Sequence, residues 1–112
     1  MAYCIQKDPT FTTPIDVVEP GTSETGEVEK SSFVAKFKRL NDDECKSMLD
    51  SGDTDVDQIR KVLVGWYGLV DANGADVPFN DATRDALLSI PAALNAIIQA
   101  FFPSLRGAAR KN

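Results

Sequence analysis

Residues 33–44 read FVAKFKRLNDDE and contain the change from strand to helix that decides the fold. In the first half, phenylalanine and alanine alternate with valine and lysine, the period of two expected of a strand with one buried face. In the second half, Asn41 fits a helix N-cap and Glu44 stands three residues later, as in a capping box. The stretch therefore predicts a strand that ends near residue 40 and a helix that begins near residue 42.

The residues upstream predict a partner for this strand. Residues 11–19 (FTTPIDVVE) are rich in β-branched side chains, and Pro14 fits an edge strand. A polar, glycine-containing loop separates the two segments, so we predict a β-hairpin over about 11–40. A lone hairpin is only marginally stable in water, so helices or strands of another subunit must cover it. Exposed strand edges also favour self-association, which makes a homo-oligomer one expectation.

The residues downstream predict about four short helices, over about 42–50, 54–67, 81–89 and 91–105. The fold class expected is therefore α+β, in a single domain over 1–112 with flexible ends at 1–10 and 107–112. Pro103 lies where the apolar stripe of the last helix is still running, and it predicts a kink or an early end near 100–102.

One loop partly resembles a calcium-binding loop through Asp71, Asn73 and Asp76. Its spacing departs from the EF-hand pattern, and Ala82 stands where the terminal glutamate would be required. The pair Asn73-Gly74 is instead typical of a tight turn. We therefore predict a turn here rather than a metal site.

Composition excludes several classes of chemistry. The 112 residues include no histidine, which removes His-dependent nucleophiles, proton shuttles and metal sites. No phosphate-binding glycine motif occurs, and Cys4 and Cys45 are expected to be reduced thiols. The sequence therefore predicts a protein that is not an enzyme and has no cofactor.

Charge and hydropathy bear on the partners. The net charge of −5 argues against nucleic acid, and no apolar stretch approaches the roughly 18 residues of a membrane span. The first residues lack the basic and apolar regions of a signal peptide, which predicts cytoplasmic folding. What remains is a protein that acts through its surfaces, by binding or assembly.

The order of several segments carries a resemblance to a known family. The segments are TPIDVVEPG (13–21), SFVAKFKRL (32–40), VGWYGLVDANG (64–74), VPFN (77–80) and FFPSLRGAARKN (101–112). Together they resemble the small tail assembly chaperones of long-tailed, siphovirus-like bacteriophages. None of them is a catalytic signature, and the specificity lies in their order along the chain.

The resemblance implies a non-enzymatic role in the host cytoplasm. Proteins of this family bind the long, mostly helical tape measure protein, keep it soluble and help recruit tail tube proteins, and they are absent from the mature virion. Many are also made in a longer, frameshifted form. Two alternatives stay open from the residues alone. One is a structural virion component, such as a head–tail connector or tail-terminator subunit, and the other is a small phage regulator of a host protein.

Three groups of residues are candidates for partner binding. The stripe of the last helix is wider than a small core needs, and the adjacent aromatic pair fits a partner anchor. The candidates are Trp66, Tyr67, Ile98, Phe101, Phe102 and Leu105, together with the basic Arg106, Arg110 and Lys111. The alternatives are that the apolar members close the domain's own core and that the basic end is a solvated terminus.

Overall fold

A computed structural model describes residues 1–106, and for Arg106 it describes the backbone alone. The elements in chain order are β1 (Thr10–Pro20), β2 (Val28–Lys38), α1 (Asp42–Asp50), α2 (Asp55–Val62), β3 (Leu63–Tyr67), α3 (Asp81–Leu88) and α4 (Pro91–Arg106). The predicted α+β fold is confirmed, with an N-terminal hairpin followed by four helices.

The three strands form one antiparallel sheet in the order β1-β2-β3. Ile15 pairs with Phe33, and Ala35 pairs with Trp66 in the third strand. These four side chains are buried on the face that the helices cover, whereas alternate residues such as Lys36 lie on the opposite face. The alternation seen in the sequence therefore separates a helix-covered inner face from an outer face.

The predicted helix over 54–67 is wrong in its second half, because α2 ends at Val62 and the chain continues as β3. The register shifts where β3 pairs with β2, so the exposed Val64 is an extra residue between Leu63, opposite Phe37, and Gly65, opposite Lys36. This bulge brings Leu63 and Trp66, three residues apart, to the same face. The spacing of Leu63 and Trp66 therefore resembles that of residues on one helix face, although the segment contains the β-branched Val64 and the aromatic Trp66 and Tyr67, which favour a strand.

A cluster of aromatic side chains fixes α4 beneath the sheet. Phe37 and Phe101 are both 0% exposed, and their ring centroids lie 4.9 Å apart. Phe11 completes the cluster, 5.6 Å from Phe37 and 6.5 Å from Phe101. Ring pairs at such distances add to the stability that burial alone gives.

The predicted early end of the last helix is also wrong, since α4 runs through Pro103 to Arg106. A proline removes one backbone donor, but this one lies in the final turn of a 16-residue helix. The hydroxyl of Ser104 donates a hydrogen bond to the carbonyl of Phe101 in the same turn. The predicted flexible end at 107–112 lies outside the described residues, and flexibility of residues 1–10 stays a prediction.

Candidate functional site

Helix α1 begins as its sequence predicts. The backbone N–H of Glu44 donates to the side-chain oxygen of Asn41 at 2.8 Å, and the Glu44 carboxylate accepts from the Asn41 N–H at 3.0 Å. Three acidic residues occupy its first turn, where the helix dipole favours negative charge. The position of these three acidic residues is thus explained by the start of α1.

Packing holds α1 only weakly. None of its nine residues is buried, and Leu49 is 47% exposed. Its far end is tied to α2 by Gln58, whose side-chain amide donates to the Met48 carbonyl at 2.8 Å and the Ser51 hydroxyl at 3.2 Å. A cleft of about 450 Å³ separates α1 from α2 and the end of β2. The helix is therefore held to the rest of the fold by the hydrogen bonds of Gln58 and by the partly buried Met48.

On its other side α1 faces the C-terminal half of α4 across two open clefts. One, of about 460 Å³, is lined by Leu49, Ile98 and Phe102 and edged by Asp53 and Asp55. The second, of about 240 Å³, lies between Cys45 of α1 and Leu105 of α4. We call the apolar surface along both clefts the α1–α4 groove, defined by Cys45, Leu49, Ile98, Phe102 and Leu105.

The structure places the predicted residues of the last helix in two environments, the groove and the core. Ile98, Phe102 and Leu105 are half-buried and line the groove. Phe101 is 0% exposed and belongs to the core, so in this fold it supports the groove from below rather than lining it. The ring of Phe102 meets that of Phe101 edge-on at 5.4 Å. One turn of α4 thus joins the core to the groove.

The structure also places the adjacent aromatic residues Trp66 and Tyr67 in different environments. The indole N–H of Trp66 donates to the Val77 carbonyl at 2.7 Å, and its ring meets Phe79 edge-on at 4.8 Å. Trp66 is 9% exposed and holds the loop after β3 against the sheet. Tyr67 is 56% exposed and lies on the outer face, paired with Val34. The two residues therefore lie on opposite faces of the sheet, and their part in partner binding stays a prediction.

The basic residues predicted for partner binding are not described as side chains. Arg106 is the last residue of α4, and only its backbone is described. Arg110 and Lys111 lie outside the described residues. Their part in partner binding stays a prediction.

Two ionisable groups at the groove, Asp53 and Cys45, have shifted pKa values. Asp53 receives a hydrogen bond from Lys61 at 2.7 Å, which lowers the pKa of the carboxyl and raises the pKa of the amine. Burial, and then the nearby Asp42 and Glu44, raise the pKa of the Cys45 thiol. A protonated thiol is a poor nucleophile, so Cys45 serves the groove as an apolar surface.

The loop with a partial calcium pattern is a turn. Asp71 accepts hydrogen bonds from the N–H groups of Asn73 at 2.8 Å and Ala75 at 3.1 Å. Gly74 has φ +81°, as the turn requires. Within residues 1–106, no three acidic or cysteine side chains are gathered as they would be around a metal ion.

Among the described helices, none is by itself long and apolar enough to cross a membrane. Helices α3 and α4 meet the length and composition criterion only as a pair, bent by 97°.

Sequence reasoning missed Gln58 as the residue that ties α1 to α2. Its one signal is a polar residue beside Ile59 and one turn before Val62, on the buried side of an amphipathic helix.

Comparison with known proteins identifies the family. A family model described as phage tail assembly chaperone matches residues 1–112, the whole chain. No curated protein and no solved structure matched the chain. The chain belongs to the phage tail assembly chaperone family.

Proposed function

We propose that the chain binds an amphipathic helix of the tape measure protein in the α1–α4 groove. Binding there keeps the tape measure protein soluble before the tail tube surrounds it, and the complex helps to recruit tail tube subunits. The proposal places the chain in the host cytoplasm and leaves it out of the mature virion.

The observation that carries the proposal is an open cleft between two helices in which the apolar Leu49, Ile98 and Phe102 lie among polar side chains. Ile98 and Phe102 lie one turn apart on α4 and face Leu49 across a cleft of about 460 Å³. A helix docked in such a groove buries residues at positions i, i+3, i+4 and i+7 of its own apolar stripe. The groove therefore suits a partner that is helical and apolar along one side.

The dimensions set the length of helix that fits. From Ile98 to Leu105 the groove follows seven residues of α4, or about 10 Å at the usual helical rise. The facing α1 has nine residues, which corresponds to about 13 Å. The groove thus accepts two to three turns of a partner helix, so one chaperone covers a short segment of a long tape measure protein. Several copies are needed along its length.

Charge at the rim adds specificity. Asp53 and Asp55 edge the cleft, and Asp50 ends α1 beside it. Lys61 pairs with Asp53, while no cation within the described residues lies within 4 Å of Asp50 or Asp55. A partner helix with lysine or arginine beside its apolar stripe gains complementary contacts here. The proposed role needs no catalytic group, since recognition and shielding of apolar surface suffice.

Co-expression tests the proposal. The tape measure protein produced alone should aggregate, and it should become soluble with this chain and elute with it. Purified phage particles should contain the tape measure protein and lack this chain. A chain found in particles at a fixed copy number would favour a structural virion component instead. Tape measure protein that stays insoluble at every chaperone level would contradict the proposal.

A further inference from the structure

One edge of the central strand is open beyond the point where β3 ends. β3 pairs with β2 only over Val34–Phe37, so residues 28–33 of β2 have β1 on one side and, within residues 1–106, no strand on the other. Gly68, with φ +77°, turns the chain away at this point. A left-handed residue is readily supplied by glycine, and here it ends the third strand after five residues.

A cleft of about 230 Å³ lies beside this open edge. Ser31 and Phe33 of β2 line one side, and Val70, Leu87 and Ile90 line the other. Val70 is 51% exposed and Ile90 is 45% exposed. Apolar side chains thus lie where the inward-facing side chain of an added strand would point.

The proline of β1 indicates which β2 groups are unpaired. Pro14 has no N–H and pairs with Val34 of β2. A proline fits a strand where its nitrogen faces away from the neighbouring strand, here β2. By alternation, Ser32 and Lys30 of β2 then direct their N–H and C=O groups to the open edge. Such a row of unpaired groups is a template for another strand.

We propose that residues 3–7 of a second copy of this chain add to the open edge as a strand antiparallel to β2. In the register proposed, Cys4 lies opposite Ser32, Ile5 opposite Ser31 and Lys7 opposite Glu29. The added strand continues the line and the direction of β3. This inference is independent of tape measure binding, because it uses a different surface.

The chemistry of the N-terminal segment fits the site. Tyr3 is 80% exposed and Ile5 is 86% exposed, large fractions for apolar side chains. In an extended segment both face the same side, so Ile5 enters the cleft beside Ile90 while Tyr3 lies over Phe33. Exposed apolar groups on the donor thus meet exposed apolar groups on the acceptor.

Charge complementarity favours the same register. Glu19 and Glu29 pair directly across β1 and β2, an arrangement of like charges that destabilises the hairpin. Lys7 of the added strand lies opposite Glu29 and relieves this repulsion. In the free chain the Lys7 ammonium lies 3.8 Å from the Tyr3 ring centroid, so the segment is bent and must extend to bind.

Distance shows that the added segment comes from another molecule. Thr10 pairs with Lys38, nine residues along β2 from Glu29, which corresponds to about 30 Å. Lys7 is three residues from Thr10 and reaches at most about 11 Å. The carbonyls of Asp8 and Pro9 also accept hydrogen bonds from Arg39, which holds these two residues at the Lys38 end. A chain therefore cannot fill its own open edge in this register.

The two ends of the sheet carry opposite charge, which suits head-to-tail association. The hairpin end has four glutamates against one lysine, namely Glu19, Glu24, Glu27, Glu29 and Lys30. The other end is basic, through Lys7, Lys36, Lys38 and Arg39 with Asp8. In the proposed assembly the basic end of each donor lies beside the acidic end of the next copy. A heterologous contact of this kind closes into a ring or continues as a filament.

Disulfide trapping tests the register directly. In a Cys45→Ser background, Ser32→Cys places a thiol opposite Cys4 of the neighbouring copy, within reach of a disulfide after small adjustment. Mild oxidation should give covalent dimers and a ladder of higher species. Thr12→Cys, on the exposed outer face of β1, is the matched control and should give none. A Ser32→Cys ladder that is no stronger than the control, or that persists when Cys4 is replaced by serine, overturns the proposal.

Complementation tests the donor and acceptor roles. A chain that lacks residues 2–7 keeps the open edge and loses the donor strand, and Ser32→Pro keeps the donor and blocks the edge. Each alone should be monomeric by sedimentation velocity at concentrations at which the unmodified chain associates, and an equimolar mixture should give a 1:1 heterodimer. Monomeric behaviour of the unmodified chain at every concentration, or association that survives removal of residues 2–7, contradicts the proposal.

Discussion

The side-chain nitrogen of Gln58 lies 2.8 Å from the main-chain oxygen of Met48, and this hydrogen bond joins the end of α1 to α2. Gln58 is the polar residue buried among the described residues, at 7% exposure. The amide also reaches Ser51, so one side chain closes the turn between two helices. The α1 wall of the α1–α4 groove therefore depends on Gln58, which itself lines the larger cleft.

We predict that Gln58→Ala destabilises the fold by about 1–3 kcal/mol, because the Met48 carbonyl loses its side-chain donor. Chemical denaturation measures the change. Gln99→Ala, an exposed substitution on α4, is the control and should cost about 0.5 kcal/mol or less. Equal stability of the two variants would show that Gln58 does not hold α1.

Substitutions of the two neighbouring phenylalanines on α4 should destabilise the fold by different amounts. Phe101→Ala removes a fully buried ring and should cost about 3–5 kcal/mol. Phe102→Ser removes a half-buried ring at the groove and should cost about 1 kcal/mol. Thermal unfolding of both variants checks the difference. Collapse of the fold with Phe102→Ser would assign that residue to the core.

Trp66 offers a test of the loop after β3. Trp66→Phe keeps an aromatic ring beside Phe79 but removes the donor to Val77, which should cost about 0.5–1.5 kcal/mol. Hydrogen exchange should become faster in the loop over 69–79. Tyr67→Phe, one residue later on the outer face, should change neither quantity. An unchanged exchange rate in Trp66→Phe would mean that other contacts hold the loop.

The ion pair at the groove predicts a dependence of stability on pH. The hydrogen bond from Lys61 lowers the pKa of Asp53, so this carboxyl stabilises the fold above its unfolded pKa near 3.9. That contribution is lost as pH falls through the lower, folded pKa. Asp53→Asn should therefore give a shallower fall in unfolding temperature between about pH 5 and pH 2 than the unmodified chain. The pKa of Asp85 is also lowered, by hydrogen bonds from Arg84 and Arg60. This carboxyl should contribute to the pH dependence of the unfolding temperature equally in Asp53→Asn and in the unmodified chain. An unchanged slope would count against the Asp53–Lys61 pair.

Local signals in the sequence were sufficient for much of the fold. Alternation around Phe33 and the capping box at Asn41 depend on neighbouring residues, and both appear as predicted. β3 was missed because a bulge at Val64 depends on pairing with a distant strand. The helix continues through Pro103 although this proline lacks the N–H that would donate to the carbonyl four residues earlier, and the local sequence did not reveal this continuation.

The candidate site was predictable only in part. The stripe of α4 includes the half-buried residues of the groove, but periodicity did not distinguish Phe101 in the core from Phe102 at the groove. That distinction depends on the positions of Phe11 and Phe37, which come from the hairpin. The facing wall, Leu49, required the position of α1 relative to α4.

Binding of a tape measure helix to single-residue variants tests the central claim most directly. Calorimetry would compare the unmodified chain with Phe102→Ser in the groove and with Tyr67→Ser, the matched aromatic substitution on the outer face of the sheet. We predict that Phe102→Ser weakens binding at least tenfold while the protein stays folded, and that Tyr67→Ser binds as the unmodified chain does. Unchanged binding by folded Phe102→Ser, or loss of binding with Tyr67→Ser alone, would contradict the assignment of the groove.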